Sequence, residues 1–145
     1  CLEAEQRKMP IQIMRFIDAL HHCTVPRVSV IVRKSYGMAH FNMSGGRMLS
    51  DALLAWPGAD ISFMAPEVAV NVMHGRRSKA EQEARLAELR HASEPWAAAG
   101  IGLIDQLIDP RDTRRAVIRA FRRARSPDGS ARRSRRLMAN WPKIC

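Results

Sequence analysis

The chain has 145 residues, 46% of them hydrophobic, which is enough for one compact domain with its own core. No apolar stretch approaches the roughly 20 residues that span a bilayer, so we expect no membrane-spanning segment and no membrane partner. The formal net charge is +10, and the three cysteines form neither a CxxC pair nor an even set, which favours a reducing, cytoplasmic location over a disulfide-rich secreted scaffold.

The N-terminal third predicts a helix, a strand and a short second helix. Apolar residues recur at helical spacing within residues 3–22, and Pro10 marks a start or a kink. The run VSVIV at 28–32 is short, β-branched and apolar on both faces, as in a buried parallel strand. A Ser-Tyr-Gly turn at 35–37 then leads into a short helix closed by Gly45-Gly46.

The middle of the chain predicts two strands and two helices. The strands are ALLAW at 52–56 and DISFMA at 60–65, with a PGA turn between them. PEVAVNVMHG at 66–75 has proline at its first helical position and a glutamate in its first turn, which favour a helix N-terminus. SKAE at 78–81 is a capping-box signature that opens a polar helix running to about Ala92.

The last predicted elements are a strand and a basic helix. GLIDQLI at 102–108 is the strand, and in the DPRD segment that follows Asp109 is the expected N-cap with Pro110 behind it. The helix is expected to run to about Arg125. Its predicted apolar stripe is Val117, Ile118 and Phe121.

Strands interleaved with helices indicate an α/β domain with a mostly parallel sheet. The short strand–helix steps favour a tightly wound ββα spiral over a doubly wound nucleotide fold, whose glycine fingerprint is absent. We expect one domain over residues 1–126 and a basic tail without regular structure over 127–145.

Eleven arginines lie between residues 111 and 136, against only two aspartates. Such a block suits a polyanion, but a solvated helix face that continues into a basic tail explains it as well, and we favour that interpretation. Aromatic side chains do not alternate with these arginines, so no specific nucleic-acid partner is predicted. The HHC run at 21–23 lacks a second ligand pair, so no metal site is predicted either.

The turn at Gly37 is the strongest candidate for a binding site. A strand that feeds a helix through a glycine leaves free backbone N–H groups at the helix start, where the helix dipole favours negative charge. Such donors can hold a developing oxyanion without any side chain. On this pattern alone, a tight turn under packing constraints is the simpler interpretation.

Four ordered segments change that interpretation: VIVRKSYG, AWPGADISFM, PEVAVNV and GLIDQLIDPRDTRR. Over roughly residues 5–125, the chain resembles the C-terminal half of the carboxyltransferase subunit (beta chain) of biotin-dependent acyl-CoA carboxylases that act on propionyl-, acetyl- or methylcrotonyl-CoA. The resemblance implies a crotonase-like (ClpP/crotonase) ββα spiral. It also implies an enzyme that transfers a carboxyl group between carboxybiotin and the α-carbon of an acyl-CoA.

The resemblance further implies a site built on the Gly37 turn. The backbone N–H groups of Met38 and Ala39 would form the oxyanion site that holds the ureido oxygen of biotin. The residues expected around the substrate and biotin are Tyr36, Gly37, His40, Phe41, Pro66 and Val68. His40 stands where the family usually has another aromatic, and Phe41 occupies a position associated with acyl-group choice. Met38 stands where the family usually has a second glycine, so an altered pocket is expected.

The resemblance implies partners as well. The chain contains no CoA-binding half, so an N-terminal half or a partner subunit would supply it, and a biotin carboxylase or carrier subunit would bring the biotin. Further copies of the chain are expected, with the apolar face of residues 66–75 partly exposed in an isolated chain. The alternative function is a non-catalytic assembly domain that keeps the fold; a basic nucleic-acid-binding module is less favoured.

Overall fold

The computed structural model describes residues 2–44 and 50–125. The predicted helix end at Gly45-Gly46 and the basic tail at 127–145 lie outside these residues. Within the described part of the chain, none of the helices combines the length and apolar character needed to cross a membrane.

Two helices precede the first strand. Helix α1 (Leu2–Gln6) is separated from α2 (Met9–His22) by a tight turn in which Lys8 adopts a left-handed conformation with φ of 59°. Pro10 lies in the first turn of α2, where a missing N–H interrupts no helical hydrogen bond. The break predicted at Pro10 is therefore a helix start.

Strand β1 (Val28–Ile31) forms where it was predicted and pairs in parallel, but only Ile31 is buried. The expectation of a strand buried on both faces was wrong, because β1 lies at the edge of its sheet. Strand β2 (Lys34–Tyr36) was not predicted, since the sequence indicated a turn at 35–37. Its Lys-Ser-Tyr sequence carries no apolar alternation, so it is specified by pairing with a partner strand rather than by local pattern.

Three more strands complete two parallel sheets: β3 (Ala52–Ala55), β4 (Asp60–Ser62) and β5 (Gln106–Leu107). One sheet has the order β1–β3–β5, and the other pairs β2 with β4. In the first sheet Val28 lies opposite Ala52, and Leu54 opposite Gln106.

The predicted strands at 60–65 and 102–108 were too long. Beyond β4 the chain bends at Phe63 and Met64, and the Ser62 hydroxyl donates to the Met64 carbonyl. Before β5, the Asp105 carboxylate accepts the Leu53 N–H at 2.7 Å. The Asp105 N–H also donates to the Leu53 carbonyl at 2.9 Å, so a side-chain hydrogen bond adds to the backbone contact just before β5.

Three helices follow the strands of the second sheet: α4 (Pro66–His74), α5 (Lys79–Ala92) and α6 (Pro95–Gly100). The capping box predicted for α5 is present, because Ser78 and Glu81 cap each other's backbone N–H groups. Helix α6 was not predicted; six residues carry too little periodicity to be recognised.

A 3₁₀ turn (Pro110–Asp112) leads into α7 (Thr113–Ala124). As predicted, Asp109 is an N-cap: its carboxylate accepts the Arg111 N–H at the start of the 3₁₀ turn. The predicted apolar stripe was wrong in two of its three residues, since Ile118 is 42% and Phe121 39% exposed. The buried residues of α7 are Ala116 and Ala120, with Val117 partly buried. Small side chains let the helix backbone approach the sheet closely.

The core lies on both faces of β3. Leu53 and Ala55 point into a cluster with Ile31, Ile104 and Ala98, whereas Leu54 points into a second cluster against α7. Consecutive strand residues face opposite sides, so one four-residue strand supplies both clusters. The sheet β1–β3–β5 is therefore the packed centre of the molecule.

Candidate functional site

The chain leaves β2 through a backbone conformation that requires glycine. Gly37 has φ of 52°, and a Cβ at this position would lie 2.9 Å from the carbonyl oxygen of Phe63. A non-glycine residue would be strained by the left-handed φ and would also collide with backbone. The close approach sets the end of β2 against the bend that follows β4.

Gly37 opens a helix that runs as α-helix through Ala39 and continues as π-helix over His40–Ser44. We number the α-helical part Gly37–Ala39 as α3. Tyr36 precedes it in an extended conformation without a side-chain cap. Met38 and Ala39 are the second and third helical residues, and N–H groups in this turn have no acceptor within the helix. Two adjacent backbone donors at a helix start can stabilise an oxygen that carries negative charge.

A cavity of about 600 Å³ lies beside this turn. Three parts of the chain line it: the start of the helix after β2, the end of β4, and the segment from the end of α5 to residue 103. Its lining is mostly apolar, and includes Ile61, Phe63, Ala98, Ile101 and Leu103. Such a cavity suits an uncharged ring system with a few directed polar contacts.

Three of the predicted pocket residues line the cavity: Gly37, His40 and Phe41. The other three do not. Tyr36 turns its hydroxyl to a carboxylate on β4, Pro66 is buried at the start of α4, and Val68 is 51% exposed on the surface of that helix. The Met38 side chain is 53% exposed and does not line the cavity, so a bulky residue is accommodated there by pointing into solvent.

His40 is the cavity residue with the most directed contacts. Its Nδ1 lies 2.9 Å from the Ser35 hydroxyl, and its ring meets the Phe41 ring edge-on at 5.4 Å between centroids. Burial lowers the pKa of His40 below its ordinary value, so the imidazole is neutral near pH 7. His40 thus places an uncharged imidazole in the cavity wall, whereas Ala39, the residue before it, lines a separate cavity along β1.

Tyr36 connects the two strands of the second sheet through its side chain. Its hydroxyl donates to the Asp60 carboxylate diagonally across the strand pair, because Tyr36 lies opposite Ser62 and Asp60 lies opposite Lys34. Burial, followed by the hydrogen bond and the charge of Asp60, raises the pKa of Tyr36 to about 12. The phenol therefore stays protonated through the neutral range and acts as a structural donor rather than as a base.

Sequence reasoning missed the wall of the cavity that lies opposite the turn. Phe63 and Ile101 are 81% and 75% exposed, and they reach the site from the ends of β4 and α6. The apolar residues of DISFMA were read as strand, although Phe63 belongs to the bend. Among residues 2–44 and 50–125, no group of three or more His, Cys, Asp or Glu side chains is arranged to hold a metal ion.

Comparisons with known protein sequences and with solved structures identify the same family. Residues 3–137 match the carboxyl transferase domain. The chain is 37% identical over 111 residues to the propionyl-CoA carboxylase beta chain of Roseobacter denitrificans, covering 74% of the chain and 22% of that protein. It is 33% identical over 119 residues to the biotin-dependent acetyl-/propionyl-coenzyme A carboxylase beta6 subunit of Mycobacterium tuberculosis, covering 76% of the chain and 25% of that protein.

Among solved structures, the fold matches the transcarboxylase 12S hexamer with methylmalonyl-coenzyme A and methylmalonic acid bound. The TM-score is 0.81 at 29% identity, and the match covers 100% of this chain and 28% of that chain. The chain thus spans about a quarter of the length of the relatives it matches. Sequence match, element order and parallel sheets agree: the chain belongs to the carboxyl transferase domain family and has its crotonase-like fold.

Proposed function

We propose that this chain is the carboxybiotin-side half of a biotin-dependent acyl-CoA carboxyltransferase. Joined to a CoA-binding half, it transfers a carboxyl group between carboxybiotin and the α-carbon of an acyl-CoA. The observation that carries the proposal is the Gly37 turn: Gly37 lines an apolar cavity of about 600 Å³ and opens a helix whose next two residues, Met38 and Ala39, are the expected backbone donors.

The chemistry of the turn fits biotin. The bicyclic ring of biotin is uncharged and apolar except for its ureido group, and the cavity lining is likewise mostly apolar. When bound as carboxybiotin, the cofactor supplies the carboxyl group from its ureido nitrogen and is left as biotin. The Met38 and Ala39 N–H groups would hold the ureido oxygen as negative charge develops on it. The missing side chain of Gly37 lets the backbone of the turn pass close to the Phe63 carbonyl oxygen.

The second substrate and its binding half come from elsewhere. An acyl-CoA needs a surface for the nucleotide and the pantetheine arm, and the chain covers only a quarter of relatives that are named for CoA substrates. We infer that a CoA-binding half or partner subunit provides it, and that a biotin carboxylase or carrier subunit delivers the biotin. A cytoplasmic location accords with these partners.

An oligomer is part of the same proposal. Helix α4 carries three exposed apolar side chains: Val68 is 51% exposed, Val72 71% and Met73 59%. Exposed apolar patches of this kind often mark surfaces that contact another protein. The solved relative with the same fold is a hexamer, and we propose that copies of this chain assemble as well.

The test is turnover of a malonyl-type thioester by the chain combined with a CoA-binding half and supplied with biotin. Ala39→Pro deletes one backbone donor while proline remains compatible with the first helical turn. Loss of one such donor typically lowers kcat by about 10²–10³. Met38→Ala keeps both donors and changes an exposed side chain, so we expect activity within about threefold of the parent.

Circular dichroism and thermal melting would establish that both variants fold. A folded Ala39→Pro variant with full activity would show that the turn is only structural. A combined enzyme that is inactive with every acyl-CoA and every biotin form, although it folds and assembles, would favour the non-catalytic assembly domain instead.

A further inference from the structure

The outer edge of β1 presents backbone groups that have no partner. On its inner side β1 pairs with β3, and the Ile31 carbonyl accepts the Trp56 N–H at 2.9 Å across that pair. In a parallel ladder the N–H and C=O of one residue face the same side and the side alternates along the strand, so those of Val28 and Val30 face away from β3. Within residues 2–44 and 50–125, these outward groups form no hydrogen bond.

A groove runs along this edge. The separate cavity along β1 has a volume of about 520 Å³, and every residue of 28–35 lines it. The helix that follows β2 contributes Ala39 and Met43 to the lining. The side chains of Val28 and Val30 already pack against the core cluster beneath α7, so the strand offers mainly its backbone to the groove.

The groove suits a further strand. Alternating N–H and C=O groups along an open edge are matched by the backbone of another extended segment, and adding a strand in this way is a recurring mode of peptide binding. A four-residue strand is about 13 Å long, so a segment of similar length can cover the edge. All strand pairs in the described part of the chain are parallel, which favours parallel pairing for the added strand.

The charges around the groove indicate which segment fits. Arg33 and Lys34 follow β1, are exposed and line the groove, and none of the described lining residues is acidic. A second copy related by a two-fold axis would pair antiparallel, which would set these two cations beside the Arg27 that precedes the other β1. Like charges opposite each other are unfavourable, so a segment with carboxylates fits better than a second copy.

We propose that the open edge of β1 binds an extended segment of a partner polypeptide, which adds a parallel strand to the sheet β1–β3–β5. The segment is apolar along the groove and carries carboxylates at its C-terminal end, where parallel pairing places them beside Arg33 and Lys34. This inference concerns the first sheet and does not rest on the binding of biotin or CoA.

The experiment follows backbone amide hydrogen exchange in the full chain by NMR. In the chain alone, exchange should be fast at Val28 and Val30 and slow at Ser29 and Ile31, whose N–H groups face β3. The probe is the capped peptide Thr-Val-Thr-Val-Asp-Asp, added up to millimolar concentration. It should slow exchange at Val28 and Val30 and leave the other two amides unchanged.

A second peptide tests the direction of pairing. Asp-Asp-Thr-Val-Thr-Val has the same composition but carries its carboxylates at the other end. Parallel pairing would set those carboxylates away from Arg33 and Lys34, so we expect this peptide to bind about two- to fivefold more weakly.

Val30→Pro tests the edge itself. Proline removes one outward N–H and keeps the N–H groups that bond to β3, and edge strands tolerate proline at such positions. We expect the first peptide to bind about tenfold more weakly, because the edge loses a donor and gains a ring that obstructs the partner strand. Circular dichroism would establish that the variant folds.

Arg33→Glu tests the charge and leaves the backbone of β1 intact. Arg33 is chosen because Lys34 already lies opposite Asp60 in the second sheet. The variant should bind the first peptide about two- to fivefold more weakly and should prefer Thr-Val-Thr-Val-Lys-Lys. Arg122→Glu, at an exposed arginine of α7 that does not line the groove, is the matched control and should leave both affinities unchanged.

The same measurements can overturn the proposal. Slow exchange at Val28 and Val30 in the chain alone would mean that the edge is already covered, by a second copy if the protection depends on chain concentration and by another part of the chain if it does not. Exchange that no peptide slows would show that the edge accepts no strand. Tighter binding of the second peptide would refute parallel pairing, and affinities indifferent to both Val30→Pro and Arg33→Glu would place the peptide elsewhere.

Discussion

The two parallel sheets differ in how they are held. In the sheet β1–β3–β5, the central strand β3 has three buried residues out of four, and Leu53 is only 1% exposed. In the sheet β2–β4, all six residues are partly buried or exposed. The first sheet is stabilised by apolar packing on both faces, whereas the second depends on a few directed contacts.

The candidate site belongs to the second sheet. The turn at Gly37 follows β2, and the cavity lies between that turn and the end of β4. Regions with few buried apolar contacts open at a lower free energy than the core, and binding sites are often drawn from them. The comparison therefore predicts that substitutions in the first sheet lower stability, whereas those around the second change the site with smaller losses.

The largest effect is expected for Leu53→Ala in β3. It would remove a fully buried side chain from the main cluster, and such changes lower the free energy of unfolding by about 2–5 kcal/mol. The matched change in the second sheet is Ile61→Ala in β4, a partly buried residue that packs against the same cluster. We expect Ile61→Ala to lower the free energy of unfolding by less than half as much as Leu53→Ala. Urea denaturation of both variants measures the difference, and equal losses would contradict the division between the sheets.

The next effect is expected for Gly37→Ala. The new Cβ would meet the Phe63 carbonyl oxygen at 2.9 Å, and φ of 52° is strained for alanine, so we expect a loss of about 1–3 kcal/mol. Gly58→Ala is the matched control, because nothing lies within 4 Å of its Cβ position. The control should stay within about 0.5 kcal/mol of the parent. Denaturant midpoints that shift alike in both variants would mean that the turn does not need glycine.

A smaller effect is expected for Trp56→Phe, which follows β3. The Trp56 indole N–H donates to the Thr113 hydroxyl at 2.9 Å and ties α7 to the first sheet. Losing a hydrogen bond of this kind costs about 0.5–1.5 kcal/mol, and Thr113 keeps its bond to the Pro110 carbonyl. Trp96→Phe, at a residue 59% exposed, should have no measurable effect. Thermal melting distinguishes the two variants, and a larger loss for Trp96→Phe would refute the prediction.

The features that the sequence predicted correctly are local ones. The capping box of Ser78 and Glu81 and the N-cap of Asp109 depend on residues within a single turn, so their spacing is visible in the sequence. The same holds for Gly37 and its neighbours His40 and Phe41, which line the cavity because they share one short helix. Their roles toward biotin stay predictions.

The features that were missed depend on contacts between distant segments. The buried face of α7 consists of Ala116 and Ala120 because the helix packs closely on a sheet, which apolar periodicity does not encode. Ile101 reaches the cavity from the end of α6, far along the chain from Gly37. Strand β2 exists because β4 pairs with it. Each of these outcomes was decided by tertiary packing rather than by local preference.

The most direct probe of the second sheet is the titration of Tyr36, which requires no substitution. It is the single tyrosine of the chain, so near-ultraviolet absorbance of the phenolate reports this residue alone. We expect a pKa of about 12 in the folded chain and about 10 in the unfolded chain, because burial and the Asp60 carboxylate disfavour the phenolate. Asp60→Asn should lower the folded value toward 10, while Asp109→Asn, in the loop before α7, should leave it unchanged.

The direction in which stability changes with pH follows from these two pKa values. The unfolded chain loses the Tyr36 proton first, so the contribution of Tyr36 to stability is complete below pH 10 and is lost as the pH rises from about 10 to about 12. The size of that loss is set by the measured difference between the folded and unfolded pKa values of Tyr36, so the titration that gives both pKa values also gives the loss. A folded chain whose tyrosine titrates near 10 would mean that the hydrogen bond to Asp60 does not hold β2 against β4. The second sheet would then depend on packing alone, and the contrast between the two sheets would disappear.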